Sequence, residues 1–345
     1  MPTLHDLDRA ALGDLLDGEP RYRVDQVWSG LYERRAPLEQ LTDVPKALRQ
    51  RLAEQAPAAL VPVAESVSDD GDTVKWLWAL GDGARVETVL MHYDDRSTVC
   101  ISTQAGCAMA CGFCATGQAG FERNLTVGEI VEQVLRASQR AAPRRVGNVV
   151  FMGMGEPLAN LDRTWAAVER LHADVGISAR HLTISTVGIV PGIRRLAGAG
   201  LPVNLAVSLH AADDDQRDEL VPINRRYPLA DLEAACADWV EATGRRLSFE
   251  WACIAGVNDR PADAERLAPL ARRLRAHVNL IPLNPTPGYP TVGTSPEGVA
   301  DFRDRLRDLG VNVTVRRNRG TEIDAACGQL RADHQVTVAA PTRRP

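Results

Sequence analysis

The chain is nearly devoid of lysine: Lys46 and Lys75 are the only two among its many basic residues, the rest being arginine. Net charge is −5 and the isoelectric point about 5.9, well short of the range above about 9 that marks an overtly basic nucleic-acid binder. Global charge therefore does not announce RNA. The pairs Arg34/Arg35, Arg144/Arg145, Arg225/Arg226, Arg245/Arg246 and Arg316/Arg317 could build a local basic face, although such pairs commonly cap solvated helix ends. Long apolar runs are also missing. No stretch approaches the roughly 18 residues that cross a bilayer, and Met1–Asp8 has neither a basic region nor an apolar core, so a cytoplasmic protein without a membrane partner is expected. Cysteine is sparse and odd in number, seven in 345 residues, which argues against a disulfide framework and raises metal or redox chemistry. Internal repeats and low-complexity tracts are absent.

Hydrophobic content of 45% is enough for a sizeable core without staples. Apolar residues recur at helical spacing through Leu4, Leu7, Leu12, Leu15 and Leu16, then Val24, Val27, Trp28 and Leu31, predicting a helical module over 1–57. Val61–Val67, Val74–Leu80 and Val86–Met91 read as strands of a β-extension spanning 58–96. From Ser97 the pattern becomes alternating β and α, with strands expected at 98–103, 148–152, 181–186, 203–209, 247–254, 277–283 and 311–316. That alternation is the mark of an α/β protein with repeated βα units, here a (β/α) barrel or partial barrel over 97–331, followed by a tail at 332–345. Thr126 and Glu129 form a capping box before the apolar stripe Ile130, Val131, Val134 and Leu135. Residues 282–296 form a loop rich in Pro, Gly and Thr.

Cys107, Cys111 and Cys114 lie within eight residues, between a predicted strand and a helix. Three thiols on one short loop can wrap a metal group. Zinc is the common alternative, but its structural sites take four ligands and no fourth Cys or His follows at finger-like spacing. A [4Fe–4S] cube held by three thiolates leaves one iron open to chelate a small molecule. Further polar groups fall where a barrel collects its chemistry, at strand C-termini: Gly155 and Glu156, Ser185, Ser208-Leu209-His210, and Asn284. Each alone reads as an ordinary strand-end residue. On one rim they make a cofactor pocket.

Six ordered motifs carry a closer likeness: Cys-x-Met-x-Cys-x-Phe-Cys-Ala-Thr-Gly at 107–117, Arg-Asn-Leu-Thr-x-Gly-Glu-Ile at 123–130, Phe-Met-Gly-Met-Gly-Glu-Pro-Leu at 151–158, Ser-Leu-His-Ala at 208–211, Asn-Leu-Ile-Pro-Leu-Asn-Pro at 279–285 and Ala-Cys-Gly-Gln-Leu at 326–330. In these the chain resembles the RNA adenine-C2 methyltransferases of the RlmN type, in the radical S-adenosylmethionine superfamily, from about residue 20 to about 331. The resemblance implies a partial (β/α) barrel with an N-terminal helical accessory domain. It implies that Cys107, Cys111 and Cys114 hold a [4Fe–4S] cluster, and that Gly155, Glu156, Ser185, Ser208, Leu209, His210 and Asn284 contact S-adenosylmethionine, two molecules per turnover. Cys327 matches the methyl-carrying cysteine, Cys100 its resolving partner through a transient disulfide, and Glu87 the proton acceptor. The residues alone do not divide proton removal between Glu87 and Cys100.

Implied substrates are an adenosine of large-subunit ribosomal RNA and one in tRNA, with a flavodoxin-like electron donor and a monomeric enzyme. Arg34, Arg35, Lys46, Arg49 and Arg51 would make the leader an RNA handle. Cys236 and Cys253 match nothing and sit among apolar neighbours, as core residues do. Ala105 stands where relatives carry Val, a small apolar change, while the short leader and the 285–296 loop are departures that bear on RNA choice. Three rival readings remain: carbon-8 methylation by the antibiotic-resistance relatives, a radical enzyme acting on a protein or small molecule, and a non-catalytic zinc-binding RNA module.

Overall fold

The computed structural model describes residues 2–332 except 69–70, 287, 291, 317–318 and 331; the tail beyond 332 and Arg317 lie outside the described residues. Ten strands form one sheet in the order β1-β2-β3-β4-β7-β8-β9-β10-β11-β12. β1 (Val61–Val67), β2 (Thr73–Ala79), β3 (Arg85–His92) and β4 (Ser97–Cys100) pair antiparallel, which is the expected β-extension. β4 is the joint. Its other edge runs parallel to β7 (Val146–Phe151), and β8 (Leu182–Thr186), β9 (Asn204–Ser208), β10 (Ser248–Cys253), β11 (His277–Pro282) and β12 (Asn312–Val315) continue in parallel.

The first predicted barrel strand, 98–103, breaks after Cys100. Ser102 turns its hydroxyl to the Glu87 carbonyl at 2.6 Å, and the chain then enters a hairpin of β5 (Gln104–Gly106) and β6 (Phe121–Asn124) that the sequence reading did not foresee. β6 is short, polar and partly exposed, so it carries no apolar alternation to betray it.

Helices return the chain between parallel strands. The leader holds α1 (Arg9–Leu15), α2 (Tyr22–Tyr32) and α3 (Lys46–Gln55), and α4 (Ala115–Ala119) lies inside the β5–β6 hairpin. Then come α5 (Val127–Ala141), α6 (Leu161–Ala173), α7 (Val190–Ala197), α8 (Asp214–Leu220), α9 (Leu229–Thr243), α10 (Pro261–Arg273) and α11 (Pro296–Asp308). The capping box at Thr126 forms as expected, Glu129 N donating to Thr126 Oγ1 at 3.2 Å and Thr126 N to Glu129 Oε2 at 2.8 Å. No described helix is long and apolar enough to cross a membrane.

The sheet does not close on itself, since β1 and β12 are its edges. It curls nonetheless: Arg316, just past β12, reaches the sulfur of Met152, just past β7, at 3.6 Å. The C-terminal segment spans the gap, with Lys75 Nζ donating to the Asp324 carbonyl at 3.2 Å and Arg319 Nη1 to the His92 carbonyl at 2.9 Å. This is a partial barrel.

The leader shares the barrel's core. Leu12, Trp28 and Leu31 belong to the same buried cluster as Val149, Leu205 and Trp251. Polar ties fix the seat: Gly128 N donates to Asp6 Oδ1 at 2.7 Å, Trp28 Nε1 to Asp174 Oδ1 at 3.0 Å, and Arg170 Nη1 to Tyr32 Oη at 2.9 Å. Four of the five cations expected to serve as an RNA handle have partners within the protein. Arg34 pairs with Asp43, Arg51 with Glu19, Arg49 donates to the Glu39 carbonyl, and Arg35 reaches across to the Val175 carbonyl.

Arg217 on α8 is fully buried and ties two strand ends together. Its Nε donates to the Leu209 carbonyl at 3.0 Å, Nη2 to the Val187 carbonyl at 2.6 Å, and Nη1 to Asn224 Oδ1 at 2.8 Å. Burial pulls its pKa down to about 10, so it stays charged at neutral pH. Replacing it with Met strips donors from buried carbonyls. Arg217→Met should cost about 3–5 kcal/mol in urea unfolding, with Arg217→Lys intermediate; a loss below about 1 kcal/mol would mean that water takes over these bonds.

Candidate active site

The cluster loop is built on the β5–β6 hairpin. Cys107 N donates to the Gly120 carbonyl at 2.7 Å, and Gly106 lies beneath that carbonyl at φ +70°, where any Cβ would collide with it. Cys114 N turns back to the Cys111 carbonyl at 3.1 Å and starts α4. Gly117 explains the Ala-Thr-Gly that follows: a Cβ there would meet the Cys111 carbonyl oxygen at 2.8 Å, so only glycine lets α4 lie against the loop.

All three thiols line one chamber of about 990 Å³ that is open to solvent at the C-terminal ends of the parallel strands. Burial is the main cause that raises each of them, Cys107 to about 12 and Cys111 and Cys114 upward, and their mutual repulsion adds to it. Such thiols are poised to bind a cation, which reverses both effects. Among the described residues no group of three His, Cys, Asp or Glu converges on a single ion. A tetrahedral zinc site needs that convergence; a cube, whose thiolates bind different corners, does not. The donor set fits a [4Fe–4S] cluster.

Opposite the thiols, the β7 terminus turns through Gly153 and Gly155. A Cβ on Gly153 would meet the Ile101 backbone at 2.7 Å, and one on Gly155, at φ +101°, would meet the Gln104 side chain at 2.6 Å. Glu156 N donates to Gln104 Oε1 at 2.8 Å, while its carboxylate accepts Leu158 N at 2.9 Å on Oε1 and Val187 N at 2.8 Å on Oε2. Burial raises its pKa to about 7 despite these bonds. Thr186 adds a side-chain hydrogen bond, and the carboxylate keeps a lone pair for a ligand donor.

Ser185, Ser208, His210 and Asn284 line the same chamber; Leu209 does not, and its side chain is core. His210 has φ +58° and accepts Ala252 N on Nδ1 at 3.0 Å, which leaves Nε2 carrying the proton. Burial first and then Arg217 pull its pKa down to about 3, so it is a neutral donor. Its ring meets Phe113 edge-on at 4.8 Å, and Asn258 Nδ2 holds its carbonyl at 2.8 Å.

Cys327 reaches the chamber by docking on the cluster loop. Ala115 N donates to the Gly328 carbonyl at 2.8 Å, Thr116 Oγ1 to the Leu330 carbonyl at 2.8 Å, and Asn284 Nδ2 to the Cys327 carbonyl at 3.0 Å. Cys100 lies behind it, sharing a smaller cavity with Cys327, Met152 and Arg316. Burial, then the neighbouring Cys327, pushes the Cys100 thiol up to about 12, with Arg316 opposing. All seven cysteines are free thiols, and Cys236 and Cys253 are core.

Glu87 is the exception. It does not line the chamber; its carboxylate is buried 3.0 Å from Lys75 Nζ on the neighbouring strand. Two chamber residues escaped the sequence reading: Glu250, a lone acid inside the apolar run Phe249–Ala252, and Arg316, noted only as half of a basic pair. An acid on a buried strand was the available signal for the first.

Residues 101–268 match the family model of the radical SAM superfamily. The chain is 52% identical to a probable dual-specificity RNA methyltransferase RlmN from Chloroflexus aurantiacus, over 96% of this chain and 93% of that one. A protein of the same description from Salinispora tropica is also 52% identical, over 96% and 94%. Among solved structures, a radical SAM methyltransferase from Sphaerobacter thermophilus superposes with a TM-score of 0.93 at 51% identity, covering 96% of this chain and all of that one. Likeness of this extent, spanning leader, extension and barrel alike, means that the chain belongs to the RlmN family of RNA methyltransferases within the radical S-adenosylmethionine superfamily.

Proposed function

We propose that this enzyme methylates carbon 2 of adenosine in large-subunit ribosomal RNA and in tRNA, as a cytoplasmic monomer fed by a flavodoxin-like reductant. The observation that carries the reading is a pair of further thiols, Cys327 in the chamber that Cys107, Cys111 and Cys114 line and Cys100 in the smaller cavity behind it. Adenine carbon 2 is too poor a nucleophile to take a methyl cation, so the one-carbon unit must first reside on a sulfur.

Cys107, Cys111 and Cys114 would hold the cluster, and Gly155, Glu156, Ser185, Ser208, His210 and Asn284 the S-adenosylmethionine; Leu209 contributes through its carbonyl tie to Arg217. When bound, these groups supply a carbon radical able to take hydrogen from a sulfur-bound methyl. Cys327 accepts that methyl by displacement at the sulfonium and presents it to the base. Once the methylene has joined adenine, the odd electron leaves to the bound cluster and the carbon-2 proton to a base. The Cys100 thiolate then attacks the Cys327 sulfur, and the carbon–sulfur bond breaks with its electron pair on the methylene carbon, which takes a proton to become methyl. The disulfide left behind needs two electrons from the reductant to reopen. Of the two groups open for ring-proton removal, Cys100 adjoins Cys327 whereas Glu87 is bound to Lys75. We therefore place Cys100 at the reacting centre as the resolving nucleophile; Lys75, paired with Glu87, braces the Asp324 carbonyl, three residues from Cys327.

The base must leave its stack to enter, so an unpaired or extruded adenosine is the substrate. Mass spectrometry of ribosomal and transfer RNA, with and without this gene, tests the reading; loss of 2-methyladenosine is expected, and loss of 8-methyladenosine instead would favour the rival.

Two variant experiments test the residues. The Glu156 carboxylate is neutral below about pH 7 and ionised above it, so S-adenosylmethionine affinity should rise as pH passes through 7. Glu156→Gln should flatten that rise and bind roughly ten- to a hundredfold more weakly at pH 8, the loss of one charge-assisted hydrogen bond; equal affinities by calorimetry would remove Glu156 from the pocket. Cys327→Ala should keep its iron, accept no protein-bound methyl and modify no RNA. Cys100→Ala should be methylated and trap RNA covalently, seen on a denaturing gel as a slow, nuclease-sensitive band. Modified RNA from both variants would reduce the two thiols to packing residues.

A further inference from the structure

Glu250 points into the barrel with a carboxylate that is half satisfied. Oε1 accepts Ser248 Oγ at 3.0 Å and Asn279 Nδ2 at 2.9 Å. Asn279 is itself locked, its Oδ1 taking Thr314 Oγ1 at 2.9 Å, and Thr314 in turn meets His277 Nε2 at 2.9 Å. Side chains from β10, β11 and β12 thus fix the plane of the carboxylate. Oε2 accepts no hydrogen bond among the described residues although Glu250 is only 4% exposed. It faces Arg316 Nη1 at 3.5 Å, an ion pair rather than a hydrogen bond.

Arg316 stands partly in solvent, its side chain 34% exposed beside the buried Glu250. Its side chain meets two soft sulfurs, Met152 Sδ at 3.6 Å and Cys327 Sγ at 3.9 Å, besides Glu250. Its backbone is pinned, N donating to the Leu280 carbonyl at 2.7 Å. The chamber therefore presents a fixed acceptor beside a fixed donor, next to the sulfur on which the chemistry of the proposed function depends. Buried polar atoms left in this state are matched by a ligand that carries the complementary pair.

We propose that Glu250 and Arg316 read the target base, Glu250 Oε2 accepting the adenine 6-amino group and the Arg316 guanidinium donating to N1. This rests on the adenine-C2 reading and deepens it. Guanine offers the reverse pattern, an acceptor at position 6 and a donor at N1, and is rejected by both groups. The ring atom beyond N1 is carbon 2, so an adenine held by this edge turns that carbon toward the side of Arg316 where Cys327 lies. The reaction and its regiochemistry would then come from one docking edge. The adenine of S-adenosylmethionine carries the same edge, but Arg316 adjoins Cys327 and Met152, on the wall shared with the Cys100 cavity, and this assigns the pair to the RNA base.

The test compares RNA carrying adenosine, purine riboside or 7-deazaadenosine at the target position, with reconstituted wild-type enzyme and Glu250→Gln; iron content and urea midpoint report folding. Gln keeps the acceptor for Ser248 and Asn279 but turns an NH2 group to the chamber. Removing the 6-amino group should cost the wild type roughly ten- to a hundredfold in RNA affinity and kcat/KM, and cost Glu250→Gln less than about threefold. Removing N7 should cost the wild type less than about threefold, a result that decides even if the variant fails to fold. An equal purine penalty in both enzymes, a larger penalty at N7, or a Glu250→Gln defect confined to the KM for S-adenosylmethionine would each overturn the assignment. Wild type that forms no 2-methyladenosine would instead bring down the parent reading.

Discussion

Everything in the chamber depends on how the C-terminal segment is fastened to the cluster loop. Residues as far as 214 positions apart meet through a few main-chain carbonyls: those of Gly328 and Leu330 accept from the start of α4, and that of Cys327 accepts from Asn284, 43 positions away. None of these bonds uses a reactive atom. The loop can therefore be held firmly while all the thiols stay available. Because the sheet is open between β12 and the β-extension, this same segment also forms the missing wall, tied to the extension by Lys75 at Asp324 and by its own Arg319 at His92. A closed eight-stranded barrel would have no gap for a cysteine-bearing loop to enter.

Polar groups buried around that seam are organised in pairs with distinct tasks. Lys75 and Glu87 neutralise each other away from the chamber, as a buried ion pair must. Arg217 saturates its donors on carbonyls at the ends of β8 and β9 and so sets the rim height of His210 and Ser208. Glu250 and Arg316 are unlike these, since neither is saturated by its partner. The contrast separates charges that hold the fold from charges kept for a ligand.

Much of this was legible in the residues. The βα alternation predicted every parallel strand, and the thiol spacing with Ala-Thr-Gly predicted a loop that brings three cysteines to one chamber, because local periodicity and tight glycine turns are written locally. The β5–β6 hairpin was not, since polar four-residue strands lack alternation, and strand 98–103 ran on past Cys100 because its apolar pattern does not register the turn at Ser102. Glu87 read as a site residue through its motif, but its ion pair with Lys75 depends on strand register, which only the assembled sheet provides. Arg316 and Glu250 were missed for a related reason: sixty-six positions separate them, and the curl of the sheet that joins them is a property of the whole.

The leader's seat has an architectural consequence. With Asp6 bound to Gly128, Trp28 to Asp174 and Arg35 to Val175, and with its apolar face merged into the barrel core, the leader is bolted to the helices behind the sheet. Its span to the chamber mouth is set by the fold. An RNA long enough to touch both would have to match a fixed length, and the protein would then act as a caliper, gauging the distance from a backbone contact to a nucleotide in the chamber. Two RNAs of unrelated sequence can satisfy one caliper when their folded shapes offer the same gap.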